Sequence, residues 1–360
     1  MAPIASLLVF PLLSILAAAS PAGLNRRAAD DVNSINNLNL VNPATPVFPR
    51  KAAGDAPFSV PEKALRAAIH IPPAFEYGAG SKSPVILIPG TAVPGGTTYA
   101  DGFARLLGET DYADPVWLNI PGNSLNDVQV NSEYVAYAIN YITGVSRGEK
   151  VGLVSWSQGA INAQWAFKFW PSTIDAVTDH IALAPDYKGT TLAPLLCTPL
   201  TMALCTPAIK QQDSKSKLIA TLRRNGGDSA FVPTTTFYSS TDEIVQPQDG
   251  VEASAYLLDA RNVGVTNNQV QVVCDNRLAI VLHEGALFNA LAWGLIQDAL
   301  THDGPGRPDR LDTAALCDED AAPGMDPLAV GAAILASAVG NIVASPATTL
   351  REAPIAAYAS

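Results

Sequence analysis

Residues 151–159 read Val151-Gly152-Leu153-Val154-Ser155-Trp156-Ser157-Gln158-Gly159, an apolar run that stops abruptly at two serines. The run suits a buried strand, and Ala160 to Phe169 continues as a helix stopped by Trp170-Pro171. A strand, a very tight turn and a helix make a nucleophile elbow, usually written G-x-S-x-G. The residues two before and two after its nucleophile crowd each other and must be small. With Ser157 as nucleophile those positions are Ser155 and Gly159; with Ser155 they are Leu153 and Ser157, and the leucine clashes. Ser157 is therefore the candidate, with Ser standing where the motif has its first Gly. The competing reading is a plain strand-to-helix turn with a capping serine, so the partners elsewhere in the chain decide.

Outward from this stretch the pattern alternates. Ser83-Pro84 leads into Val85-Ile86-Leu87-Ile88 and the turn Pro89-Gly90, and Pro115 to Ile120 is a second run ending at Pro121-Gly122. Asn126-Asp127 offers a cap to a helix in which Val130, Tyr134, Ala138 and Ile142 fall four apart. Further strands are expected at 180–185, 234–239 and 269–274, and helices at 208–225 and 284–300. Strands alternating with helices imply an α/β fold with a mostly parallel central sheet flanked by helices. Residues 326–346 are Ala-rich and carry one charge, Asp326, but Asn341 interrupts them. They are expected to form a helix packed on the domain rather than a stable transmembrane span.

The 360 residues carry a net charge of −11, and an acidic surface repels phosphate backbones, which argues against nucleic-acid binding. Residues 1–19 hold the apolar stretch IASLLVFPLLSILAAA and read as a secretory signal. Residues 20–80 look irregular and contain the dibasic pairs Arg26-Arg27 and Arg50-Lys51, each a candidate processing site or an ordinary solvated pair. The α/β domain is expected at 81–320 and a helical tail at 321–360. Four cysteines in an oxidising compartment allow two bridges in three pairings. No Cys/His spacing suggests a metal, and no cofactor is expected.

A serine hydroxyl needs a base. Of the four histidines, His70 precedes the sheet, His180 opens a strand away from the nucleophile, and His302 lies in a DGPG loop. His283 follows the last expected strand, where the order Ser…Asp…His puts the base. The acid belongs between them after a strand: Asp242 follows the second strand after the elbow and is preferred, with Asp186, after the first, as the alternative. The oxyanion needs preset N–H donors, one from Gln158 and one from the loop after the first strand, where Thr91 offers an N–H and a hydroxyl.

The stretches ILIPGTAVPGG, LNDVQVNSEY, SWSQGAINAQW, APDYKGT, PTTTFYSSTDEIVQPQ and VLHEGAL resemble the Candida antarctica lipase B-like fungal lipases of the α/β-hydrolase superfamily, over about residues 83–320. The resemblance implies a secreted serine hydrolase of carboxylic esters, acting on an ester or lipid substrate without a cofactor. It matches Ser157, Asp242 and His283 to that family's triad and Thr91 and Gln158 to its oxyanion donors. It places Asp186 near the pocket, Trp156 on the alcohol side and Ile244 on the acyl side. Leu282, Ala286 and Leu287, beside His283, are expected to add apolar wall. It pairs Cys274 with Cys317, which leaves Cys197 with Cys205 in the region of that family's lid. Two further bridges of that lipase have no counterpart, and the region before residue 80 matches little. Acyl transfer and polyester cleavage use the same triad, and a non-catalytic binding protein held by residues 326–346 is the rival outside catalysis.

Overall fold

A computed structural model describes residues 31–360. The signal-like residues 1–19 and the pair Arg26-Arg27 lie outside the described residues. From Val32 onward the chain is one compact unit. Seven strands form a single sheet: β1 (Ile69–His70), β2 (Ser83–Ile88), β3 (Ala113–Leu118), β4 (Val151–Trp156), β5 (Val177–Leu183), β6 (Thr234–Tyr238) and β7 (Val265–Gln269). Their order is β1-β3-β2-β4-β5-β6-β7, with β1 antiparallel to β3 and every other pair parallel. The chain first leaves β2 toward β3 and later returns to its other side with β4. Ligands of such sheets bind beyond the carboxyl ends of the strands at this reversal of order, and the turns after β2 and β4 carry Thr91 and Ser157.

β4 is buried along its whole length and β2 from Pro84 onward, because helices cover both faces of the sheet. Ile86, Ile88 and Leu153 pack under the helices Val128–Val145 and Gln158–Phe169. Val85, Leu87, Val154 and Trp156 face the other way, toward the helix Ala290–Thr301. Asp127 caps the helix Val128–Val145 by accepting from Gln129 N–H at 2.9 Å.

Several element boundaries depart from the sequence pattern, for identifiable reasons. The last strand is 265–269, and residues 270–273 form a helical turn instead of continuing it. That strand, VTNNQ, is polar because its side chains are used as bonding groups: Asn267 Oδ1 accepts from Leu257 N–H at 2.9 Å and Asn268 Nδ2 donates to Thr236 O at 2.9 Å. The helix expected at 208–225 is two, Pro207–Gln211 and Lys217–Arg223. Between them Thr190 N–H donates to Gln212 O and Ser214 N–H to Thr190 O, and Ser216 caps the second piece. The helix expected at 284–300 begins as a 3₁₀ turn, Glu284–Leu287, and restarts at Ala290 because Asn289 Oδ1 accepts from Leu291 N–H and Ala292 N–H. Within the region expected to be irregular, Glu62–Ala67 is helical, β1 joins the sheet, and Val47 and Ala56 are buried in the core.

The tail forms a helix, Pro327–Ala344, the one helix among the described residues long and apolar enough to cross a membrane. It docks with Gly331 and Ile334 buried, and Asn341, the polar interruption, donates from Nδ2 to Ala92 O at 2.8 Å. That bond ties the tail helix to the loop after β2.

Candidate active site

The elbow is visible in the backbone. Ser157 has φ 54° and ψ −129°, a conformation that costs a non-glycine residue on the order of 1–3 kcal/mol and persists only where the surroundings enforce it. The turn is tight enough that a Cβ on Gly159 would stand 2.7 Å from Ile88 O, and one on Gly90 would stand 2.9 Å from Ser157 Cβ. Ser155 takes no part in the opening. It is fully buried, and its hydroxyl meets His180 Nε2 at 2.8 Å. His180 thus lies inside β5, not at its start, and touches the elbow strand from within the sheet. Burial alone drives its pKa down to about 3, so it is neutral.

The turn after β6 brings Asp242 to His283. Asp242 Oδ2 lies 2.7 Å from His283 Nδ1, and Asp242 Oδ1 accepts from the N–H groups of Ile244 and Val245 at 2.9 and 2.7 Å. The imidazole is held from other sides as well. Its ring centroid is 5.1 Å from that of Trp156, Trp156 Nε1 donates to His283 O at 3.1 Å, and His283 N–H donates to Glu243 Oε2 at 3.0 Å. Glu243 therefore grips the backbone of the residue whose ring Asp242 holds. Burial opposes a charged imidazole, but Asp242, and behind it Glu243 and Asp186, outweigh burial and raise the His283 pKa above its ordinary value. Among the described residues the Ser157 hydroxyl makes no hydrogen bond.

Asp186 follows β5 and is completely buried, and among the described residues neither carboxyl oxygen has a partner. Burial lifts its pKa to about 7; His283 works against the shift and Asp242 adds to it. The carboxyl bonded to the imidazole is that of Asp242, not Asp186.

Thr91 and Gln158 stand at the ends of neighbouring strands. Among the described residues neither backbone N–H takes a partner. The Gln158 side chain donates from Nε2 to Thr91 Oγ1 at 2.7 Å and to Ser124 O at 3.1 Å. Gln212 donates to the same Thr91 oxygen at 2.9 Å. The sequence pattern did not reveal Gln212, since 121 residues separate it from Thr91 and no spacing rule links the two.

The apolar candidates divide. Ile244 and Leu282 are 45% and 43% exposed. Ala286 and Leu287, expected in the wall, are 2% and 1% exposed, because the 3₁₀ turn after His283 directs them into the core with Val270 and Ile334. Cys274 is bonded to Cys317 and Cys197 to Cys205. The second bridge closes a loop on which Leu200 and Met202 are exposed, with Leu195 exposed just before it, while Cys197, like Ile342 of the tail helix, packs against the cluster of Ala92, Leu125 and Ile209. Among the described residues no group of three or more His, Cys, Asp or Glu is arranged to hold a metal ion.

No family model matches the chain. The chain is 36% identical to lipase B of Pseudozyma antarctica over 313 residues, 84% of this chain and 86% of that protein. The crystal structure of Aspergillus fumigatus lipase B superposes with a TM-score of 0.88 at 51% identity, covering 92% of this chain and 79% of that one. With its mostly parallel sheet, this chain belongs to the lipase B family and is a carboxylic ester hydrolase of the α/β-hydrolase fold.

Proposed function

We propose that the enzyme is a secreted serine hydrolase of lipid-like esters, with Ser157, His283 and Asp242 as its triad. His283 Nε2 takes the Ser157 proton as the oxygen attacks the ester carbonyl, a contact that tightens when substrate binds. Asp242 fixes the tautomer through Nδ1 and stabilises the imidazolium. The negative charge that develops on the carbonyl oxygen is received by the N–H groups of Thr91 and Gln158 and by the Thr91 hydroxyl. The imidazolium then protonates the leaving alcohol. Water, activated by the same histidine, cleaves the acyl-enzyme and restores Ser157.

One observation carries this reading: the 2.7 Å contact between His283 Nδ1 and an Asp242 carboxylate whose other oxygen is held by two backbone N–H groups. The exposed Leu195, Leu200, Met202, Ile244 and Leu282 support an apolar acyl group as substrate. The signal-like residues 1–19 and the two disulfides support secretion. The test is hydrolysis of p-nitrophenyl esters, short chain against long, by the wild type and Ser157→Ala. A loss of ~10⁶ in kcat in the variant is expected for removal of such a nucleophile. Equal rates in the two proteins contradict the assignment, and a preference for long chains separates lipase from esterase.

A further inference from the structure

Gln212 ends the helix Pro207–Gln211, is 7% exposed, and reaches back across the fold to the hydroxyl of Thr91. Its Nε2 donates to Thr91 Oγ1 at 2.9 Å and to Ala208 O at 3.0 Å. Gln158 is placed in the same way: Nε2 donates to Thr91 Oγ1 at 2.7 Å and to Ser124 O at 3.1 Å, and Oε1 accepts from Asn131 Nδ2 at 3.0 Å. In both amides a main-chain carbonyl faces the same atom that faces Thr91. That atom is therefore the nitrogen, because an amide oxygen has no proton to offer a carbonyl.

A hydroxyl oxygen has two acceptor sites and one proton to give. Two N–H donors fill both acceptor sites of Thr91 Oγ1. The remaining intramolecular acceptor for its proton is Gln212 Oε1 at 3.2 Å, a longer contact to an amide that already donates to the same oxygen. A developing oxyanion is a far stronger acceptor, and the proton reaches it by rotation about one bond.

We propose that Gln212 is a positioning residue for ester hydrolysis: together with the Gln158 side chain it saturates the acceptor sites of Thr91 Oγ1 and so aims the Thr91 hydroxyl proton at the oxyanion. The inference rests on the oxyanion role given to Thr91 above. Gln212 acts only through that hydroxyl, and this makes it separable from a residue that merely holds the fold. Its main chain is fixed as well, with Gln212 O accepting from Thr190 N–H at 2.7 Å and Gln212 N–H donating to Ala208 O at 3.0 Å, so the donor is in place before substrate arrives.

The experiment is a double-mutant cycle of Gln212→Met and Thr91→Val, with kcat and KM measured on one p-nitrophenyl ester and rates normalised to the fraction of active sites titrated by a phosphonate. Thr91→Val keeps the backbone N–H and removes the hydroxyl, and a loss of ~10²–10³ in kcat is expected for one oxyanion donor. Gln212→Met is expected to lower kcat about tenfold with KM unchanged in the wild-type background, and less than about twofold once Val stands at 91. The same fall in both backgrounds, or no fall in the wild type, overturns the role of Gln212 while leaving Thr91 as a donor. Full activity in Thr91→Val overturns the hydroxyl's role itself. Should Gln212→Met not fold, Gln212→Glu keeps the size and, once ionised, replaces the donor with an acceptor. The same dependence on the Thr91 hydroxyl is expected of it, and an equal loss without that hydroxyl overturns the proposal.

Discussion

Asp242 and His283, at the floor of the site, are 3% and 5% exposed and joined by a 2.7 Å contact; Leu200 and Leu328, on the disulfide-closed loop and the tail helix that the proposed function places at the entrance, are 98% and 84% exposed. The floor is polar, buried and held by short bonds to strand ends and to backbone amides. The entrance is apolar, and the Cys197–Cys205 bridge, the bond from Asn341 to Ala92 O and the bonds between Thr198 and Thr201 are among the contacts that hold it. A buried polar network is expensive to leave incomplete, and Asp242 and His283 each have their direction set by other groups, while the Asp186 carboxyl beside them has no partner among the described residues. Apolar side chains at the entrance give area without direction. The division predicts that changes at the floor reduce kcat for every ester, while changes at the entrance alter stability and the response to chain length.

The largest effect that tests this division is at Asp242. Asp242→Asn keeps the shape but offers the wrong partner to His283 Nδ1, and kcat is expected to fall ~10⁴-fold, equally for short and long esters. A loss confined to long chains would break the comparison. The pH profile comes next. The proposed mechanism requires neutral His283, and its neighbouring carboxylates raise its pKa, so kcat/KM is expected to fall about tenfold per pH unit below that raised value. Asp186, lifted by burial to about 7, interacts with His283 through its charge, and the acid limb belongs to the pair. Asp242→Asn removes the largest of the raising influences and moves that limb to lower pH. Stability follows the opposite direction: the part due to His283 is fully present below its unfolded pKa and fades as pH rises through the folded value.

At the entrance, replacing Cys197 and Cys205 together with Ser frees a loop of sequence separation 8, which is expected to cost about 2.5 kcal/mol in the chain-entropy model. Denaturant titration reads that cost, and kcat on a short ester should hardly change. The smallest effect is at Asn341. Asn341→Leu removes one hydrogen bond to a main-chain carbonyl and should cost ~1 kcal/mol, with KM for long-chain esters shifting more than kcat. A fall in kcat at either entrance site would show that floor and entrance are coupled.

The same contrast explains what the sequence could disclose. The tight turn at Ser157 was legible because an elbow forces small neighbours at fixed spacing, and the meeting of Asp242 with His283 because the order of strands restricts where such partners can stand. Gln212 was not, since its bond to Thr91 exists only after folding brings it to a hydroxyl 121 positions away. His180 was misread for a related reason: as a residue opening a strand it looked remote, yet it lies within β5 and completes the hydroxyl of Ser155. β7 was displaced along the chain because VTNNQ carries no apolar signal. Asn341 read as a flaw in an apolar helix, and the bond to Ala92 O gives that polarity its purpose.

The central claim is that Ser157, not Ser155, is the nucleophile, and covalent labelling tests it most directly. The intact enzyme is treated with a p-nitrophenyl phosphonate and the 151–159 segment is sequenced by tandem mass spectrometry. The account predicts one adduct, on Ser157, absent from Ser157→Ala and retained in Ser155→Ala. An adduct on Ser155, or labelling that survives Ser157→Ala, would contradict it.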